Sequence, residues 1–197
     1  RVFVTVPRIE IGAGELMLQE LQQSLGIPVQ LVTLEKLEAQ LAQSLAATVV
    51  TSRYFIGSVE TKLANSEVVK PRSIRVIPVD LQDYEQELAL VKTLPKNSYV
   101  GIVSLSKGIL AVAEMMVHSM RGDDLLVMAC QTKDNYKLNA TIRRAHTIIS
   151  DRASLSLVHQ AIEAAGDDLI RIPQVVESES YIGLKSINLL KRELGLI

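Results

Sequence analysis

"TVVTSR", residues 48–53, sets Thr48, Val49 and Val50 before a polar ending of Thr51, Ser52 and Arg53. Nearly the same phrase returns as "TIISDR" at residues 147–152. Each lies between stretches of helical periodicity. "LEKLEAQLAQSL" (34–45) precedes the first, with Leu34, Leu37, Leu41 and Leu45 on one face, and "YFIGSVETKLA" (54–64) follows it. "YKLNATIRRA" (136–145) and "SLSLVHQAIEAA" (154–165) flank the second. A short apolar run between two such helices reads as a strand of a parallel sheet, because parallel neighbours need long crossovers.

The alternation continues outward in both directions. "VFVTV" (2–6), "VQLVT" (29–33), "SIRVIPVDL" (73–81), "YVGIVSL" (99–105), "LLVMA" (125–129) and "LIRIP" (169–173) read as further strands. "GAGELMLQELQQSLG" (12–26), "QDYEQELALVKTL" (82–94), "GILAVAEMMVHSM" (108–120) and "YIGLKSINLLKREL" (181–194) read as helices. The predicted fold is therefore α/β, with right-handed βαβ crossovers and mostly parallel sheets. Matched phrases recur in the same order: "TVVTSR" with "TIISDR", and "IRVIP" (74–78) with "LIRIP" (169–173). The expectation is two pseudo-equivalent βα lobes, residues 1–96 and residues 97–197, the second ending in a closing helix. The alternative is that parallel βα units look alike whatever their ancestry.

Composition narrows the class. The chain has 197 residues, is 48% hydrophobic and 22% charged, and has only 4% aromatics with no Trp. That suits a folded core of aliphatic side chains. A formal net charge of −1 gives no global attraction for nucleic acid. The one cysteine, Cys130, forms no internal disulfide, which fits a reducing cytoplasm. No apolar run reaches the ~20 residues that span a bilayer. The chain opens on Arg1 in a strand pattern, without an initiator Met, so the expectation is a segment of a longer protein.

In open α/β sheets ligands bind beyond the carboxyl ends of the strands, beside unpaired N–H groups of helix starts. Several candidates fall there: Arg8 after the first strand; Thr51, Ser52 and Arg53; Ser104, Ser106 and Lys107; Ser150, Asp151 and Arg152, with Ser154 close behind. Hydroxyls and guanidinium forks in such places suit a small anionic ligand in a cleft between lobes. The competing reading is that these hydroxyls and the aspartate cap helices, with the cations solvated.

Catalytic patterns are weak. "GAG" (12–14) lacks the third glycine of a dinucleotide fingerprint, and "SLSKG" (104–108) is no P-loop. His118, His146 and His159 form no metal-ligand spacing, and no nucleophile elbow occurs. No cofactor is expected. Cys130 is either a reactive thiol beside Lys133 or a quiet half-buried one. Asp123–Asp124 and Asp167–Asp168 read as turn residues. Met115, Met116 and Met120 on one helix suit either core packing or a contact surface. The last helix either closes a sheet or contributes to a dimer seam.

"TVVTSRYFIGSVE", "IRVIPVDL", "VGIVSLSKGILAVAEMM", "MRGDDLLVM" and "SINLLKRELGL" together resemble the C-terminal domain of GntR-type regulators of the cyanobacterial PlmA type. More loosely, the paired lobes resemble periplasmic-binding-protein-like effector domains. The resemblance implies a non-enzymatic, homodimeric, signal-receiving domain in the cytoplasm. It further implies an N-terminal winged helix-turn-helix, outside this chain, that binds DNA, and contact with the PII–PipX complex. The alternatives are an enzyme acting on a phosphorylated or carboxylated metabolite, with Arg53, Lys107 and Arg152 as anion clamps and Asp151 as base, or a pure protein-interaction module.

Overall fold

The computed structural model describes residues 1–82 and 84–197. The chain runs β1 (Val2–Val6), α1 (Ile11–Leu25), β2 (Gln30–Thr33), α2 (Leu34–Leu41), β3 (Ala46–Ser52), α3 (Ile56–Ala64) and β4 (Ser73–Val79). It continues through α4 (Glu85–Thr93), β5 (Ser98–Ser104), α5 (Lys107–Arg121), β6 (Leu125–Gln131), α6 (Asn135–Arg144), β7 (Thr147–Ser150), α7 (Leu155–Ala165), β8 (Gln174–Glu177) and α8 (Leu184–Glu193). Of the helix predicted over 82–94, Asp83 lies outside the described residues.

The strands form two four-stranded sheets, ordered β2-β1-β3-β4 and β6-β5-β7-β8, and every pair within them is parallel. The order is the same in both, with the first strand of each set paired to its second and third. The predicted pair of βα lobes with parallel sheets is thus present. "TVVTSR" supplies most of β3 and "TIISDR" opens with β7, each the third strand of its sheet. Both are buried on both faces, which explains why their apolar residues run on without strict alternation.

Each sheet is covered by aliphatic side chains. Phe3 and Val49 from the first sheet pack with Leu37 and Leu41 of α2 and with Val59 and Leu63 of α3. In the second, Cys130 and Ile148 meet Leu138 and Ile142 of α6 and Val158 of α7. On the opposite face Val100, Ile102, Leu125 and Ile149 pack with Leu110 and Val117 of α5 and Val91 of α4. Gly101 of β5 lets α6 approach closely: a Cβ there would lie 2.5 Å from Thr141 Cγ2.

Two compact units result, Arg1–Gln82 with Tyr181–Ile197, and Asp83–Ser180. The sequence reading instead divides the chain at 96 and leaves the closing helix with the second lobe. The difference lies in two helices. The α4 helix follows β4 in the chain, but Val91 joins the core of the second unit and the Arg121 guanidinium of α5 donates to the Val91 (2.8 Å) and Leu94 (2.7 Å) carbonyls. The α8 helix follows β8, but packs on α1 and β4 of the first unit. The helix after each fourth strand therefore serves the other unit.

The return of the chain into the first unit is pinned at several points. Leu81 bridges Ile182 in antiparallel fashion, the Gln82 N–H donates to the Tyr181 carbonyl (3.0 Å), and the Gly183 N–H donates to the Asp80 carbonyl (2.9 Å). The Glu20 carboxylate of α1 accepts from the Tyr181 and Ile182 N–H groups. The Ser186 hydroxyl accepts from the Asp80 N–H at 2.8 Å, and Arg75 Nη1 of β4 meets Glu193 at 3.2 Å. Burial pushes the Tyr181 phenol far above its usual range.

One strand is displaced from its predicted place. "LIRIP" (169–173) is not β8; the strand begins at Gln174, after Pro173. Ile170 and Ile172 stand exposed, and Val175 and Val176 take the paired positions beside Ile148 and Ile149. The match between "IRVIP" and "LIRIP" is therefore out of register, since the first lies inside β4. Within the second unit the "GDD" turns at 122–124 and 166–168 share one geometry. Gly122 (φ 55°) and Gly166 (φ 47°) end α5 and α7 in a region that favours glycine, and the aspartates complete short 3-10 turns.

Candidate functional site

The carboxyl ends of the strands carry the predicted polar residues, and the two units use them differently. In the second unit Asp151, just beyond β7, is the organising group. Its Oδ2 accepts from the Leu105 N–H beyond β5 (3.0 Å), and its Oδ1 accepts from the Ser154 N–H (2.8 Å). One carboxylate thus ties two neighbouring strand ends and caps the turn leading into α7. Ser104 Oγ accepts from the Ser106 N–H (3.1 Å), and Ser106 Oγ caps α5 by accepting from the Ile109 N–H (3.2 Å). Ser150 Oγ donates to the Asp151 carbonyl (2.9 Å), and the Ser154 and Thr132 hydroxyls bond to each other. Every predicted hydroxyl in this unit has an internal partner. Lys107 opens α5 in an exposed position.

In the first unit the Thr51 hydroxyl donates to the Thr5 carbonyl across the β1–β3 seam (2.8 Å). The hydroxyls of Ser52 and Thr5 are buried and have no partner among the described residues. The residues at the starts of α1 and α3, Glu10 and Phe55, give no side-chain cap. Arg8 is exposed, and its N–H donates to the Glu35 carboxylate (3.0 Å to Oε2). That carboxyl is held below its ordinary range by backbone hydrogen bonds, its own N–H first and that of Arg8 next. The seam between β1 and β3 is where the strand order reverses direction, the position at which open α/β sheets take ligands.

The two arginines of the repeated phrases have equivalent partners. Arg53 Nε meets Asp80 Oδ1 at 2.6 Å and Nη2 meets Oδ2 at 3.3 Å, a two-pronged pair one residue beyond β4. Arg152 Nε meets Glu177 Oε1, the last residue of β8, at 2.6 Å. In each unit the cation after the third strand is thus bound to a carboxylate at the end of the fourth. The hydrogen bond to Asp80 raises the Arg53 guanidinium further and holds the Asp80 carboxyl below its ordinary range. Sequence reading found both arginines but not these partners, because Asp80 and Glu177 stand 27 and 25 positions away and only the parallel register brings them near.

Of two further candidates, Cys130 is buried and His146 exposed. Burial pushes the Cys130 thiol up to about 11, with Asp134 adding to the effect, so the sulfur is protonated at neutral pH. His146 Nδ1 accepts from the Tyr99 N–H (3.0 Å) and its ring stacks on Tyr99, a structural role at the amino end of β5. Among the described residues no group of His, Cys, Asp and Glu side chains is placed to hold a metal ion. Among the described residues no helix is long and apolar enough to cross a membrane.

The family comparison agrees with the resemblance read from the sequence over part of the chain. Residues 86–179 match the family described as the cyanobacterial PlmA-type GntR regulator, C-terminal domain. That span covers nearly all of the second unit. No curated protein and no solved structure matches the chain.

Proposed function

Starting from a segment that matches the C-terminal domain of a GntR-type regulator, we propose that this chain receives a signal as a homodimer and passes it to a DNA-binding domain elsewhere in a longer, cytoplasmic protein. The effector is a small molecule with an anionic group, taken at the carboxyl end of the first sheet. The observation that carries this assignment is the contrast between the units. The second unit satisfies its own strand-end hydroxyls, whereas the first leaves those of Ser52 and Thr5 buried and unpartnered beside the β1–β3 seam. An unmet buried polar group costs about 1–3 kcal/mol. A ligand that supplies the missing partner recovers that cost and so favours the state in which it is bound.

Signalling then requires the effector to bind one arrangement of the domain better than another; about 1.4 kcal/mol of difference shifts the equilibrium tenfold. The test is a thermal-shift screen with nucleotides, 2-oxo acids and sugar phosphates on the native chain, Ser52→Ala and Arg8→Ala. The expected result is stabilisation by one class, weakened in both variants, without turnover of the compound. Stabilisation unchanged in both variants removes the site, and turnover favours the enzyme reading.

That second reading has less support. Two of its three proposed clamps, Arg53 and Arg152, are bound to Asp80 and Glu177, and Asp151 accepts two backbone N–H groups as a structural cap. The family resemblance also supplies a protein route, contact with PII–PipX. Co-purification of the full regulator with both proteins tests it.

A further inference from the structure

Four strand edges are left by the two sheets: β2, β4, β6 and β8. An uncovered edge presents a row of unpaired backbone groups, and proteins that stay monomeric blunt it with short strands, proline, charge or a covering segment. Three of the four show such a device. The β2 and β8 strands have four residues each, and β8 ends on Glu177. The β4 strand carries Arg75 and Pro78 and is met by α8. The β6 strand is neither short, nor charged, nor interrupted by proline, although α5 and α6 pack on it. It has seven residues, "LLVMACQ", with no charge and no proline.

The surface around that edge is apolar as well. On α5, Val112 is 49% exposed, and on β6, Leu126 is 44% exposed. Arg121, which holds the α4 carbonyls, marks the flank of α5 turned toward α4. The helical period places Ile109, Val112, Met116 and Ser119 on the other flank, without a charged group among them. In the first unit the matching edge strand, β2, exposes no large hydrophobic residue.

We infer that β6 and the adjoining flank of α5 form a seam for a second copy of this chain. Two β6 strands pair antiparallel across a two-fold axis and join two four-stranded sheets into one of eight, with the α5 helices side by side. The inference rests on the dimeric reading proposed above and names its surface. A second copy suits the seam for three reasons. A strand edge is complementary to itself when turned antiparallel. Two uncharged strips meet without like-charge repulsion, and they offer nothing to a strongly acidic or basic partner. The lengths also match: fifteen residues of helix rise about 22 Å and seven of strand about 23 Å. One copy therefore covers helix and strand together.

The experiment is light scattering and sedimentation on the native 197-residue chain and on Leu126→Lys, Val112→Glu and, as a control on the surface of the first unit, Lys36→Glu. Circular dichroism and thermal melting check folding in each. The expected result is a dimer for the native chain and for Lys36→Glu, with at least a tenfold weaker association in Leu126→Lys and Val112→Glu. A folded native monomer at all concentrations overturns both the seam and the dimeric reading. A dimer unaffected by either seam variant overturns the seam alone. If Leu126→Lys fails to fold, Val112→Glu decides: a folded variant that associates as tightly as the native chain sinks the seam.

Discussion

Asp80 and Arg53 show what one charged residue does once the register is known. Each is exposed, so their pair is screened and adds little to stability in ordinary salt. It has a pH signature nonetheless. The Asp80 carboxyl is depressed in the folded state, so its contribution is present above the ordinary carboxylate pKa and is lost as pH falls through the folded value. Melting measured from pH about 6 down to about 3 is expected to show a steeper acid fall in the native chain than in Asp80→Asn, and 1 M salt is expected to narrow the gap. The arginines themselves were legible in the sequence, as were the strand-end hydroxyls. Which hydroxyls were caps was not. "TSR" and "SDR" look alike, yet Asp151 is a double acceptor while the aligned Ser52 hydroxyl has no partner, a difference set by neighbouring backbone rather than by residue type.

At the level of elements, the strand ends of the second unit depend on one side chain. Asp151→Ala leaves the Leu105 and Ser154 N–H groups without their acceptor. It is expected to lower stability by about 2 kcal/mol in urea unfolding, with Asp151→Asn intermediate because its amide keeps one accepting oxygen. A second dependence lies where α6 crosses β5. Gly101→Ala places a methyl against Thr141, and the expected loss is about 1–3 kcal/mol, partly restored by Thr141→Ser, which removes the crowded methyl. Helix and strand positions were readable from period and composition to within a few residues. The exception, β8, shows the limit. "LIRIP" has better strand composition than "QVVE", but the turn after Gly166 and the proline at 173 carry those residues past the sheet before pairing begins.

At the scale of the whole molecule, the exchange of α4 and α8 was the least legible feature. Periodicity identifies a helix and its apolar face but says nothing about which of two similar sheets will receive it. The repeated strand order makes both equally plausible hosts by local rules, and only packing decides. Ending the chain after Ser180 is expected to uncover β4 and leave Glu20 without the Tyr181 and Ile182 N–H groups. Hydrogen exchange should then show lost protection in β1–β4, with β5–β8 retaining theirs. The same exchange orders events during synthesis. The second unit is contiguous and is complete as soon as Ser180 has been made. The first unit, though its strands emerge earlier, waits for α8, about a hundred residues after Gln82, or on the order of 5–20 s at ribosomal rates of about 5–20 residues per second. The half that begins first is thus the half that finishes last, and in the interval its β4 edge is bare.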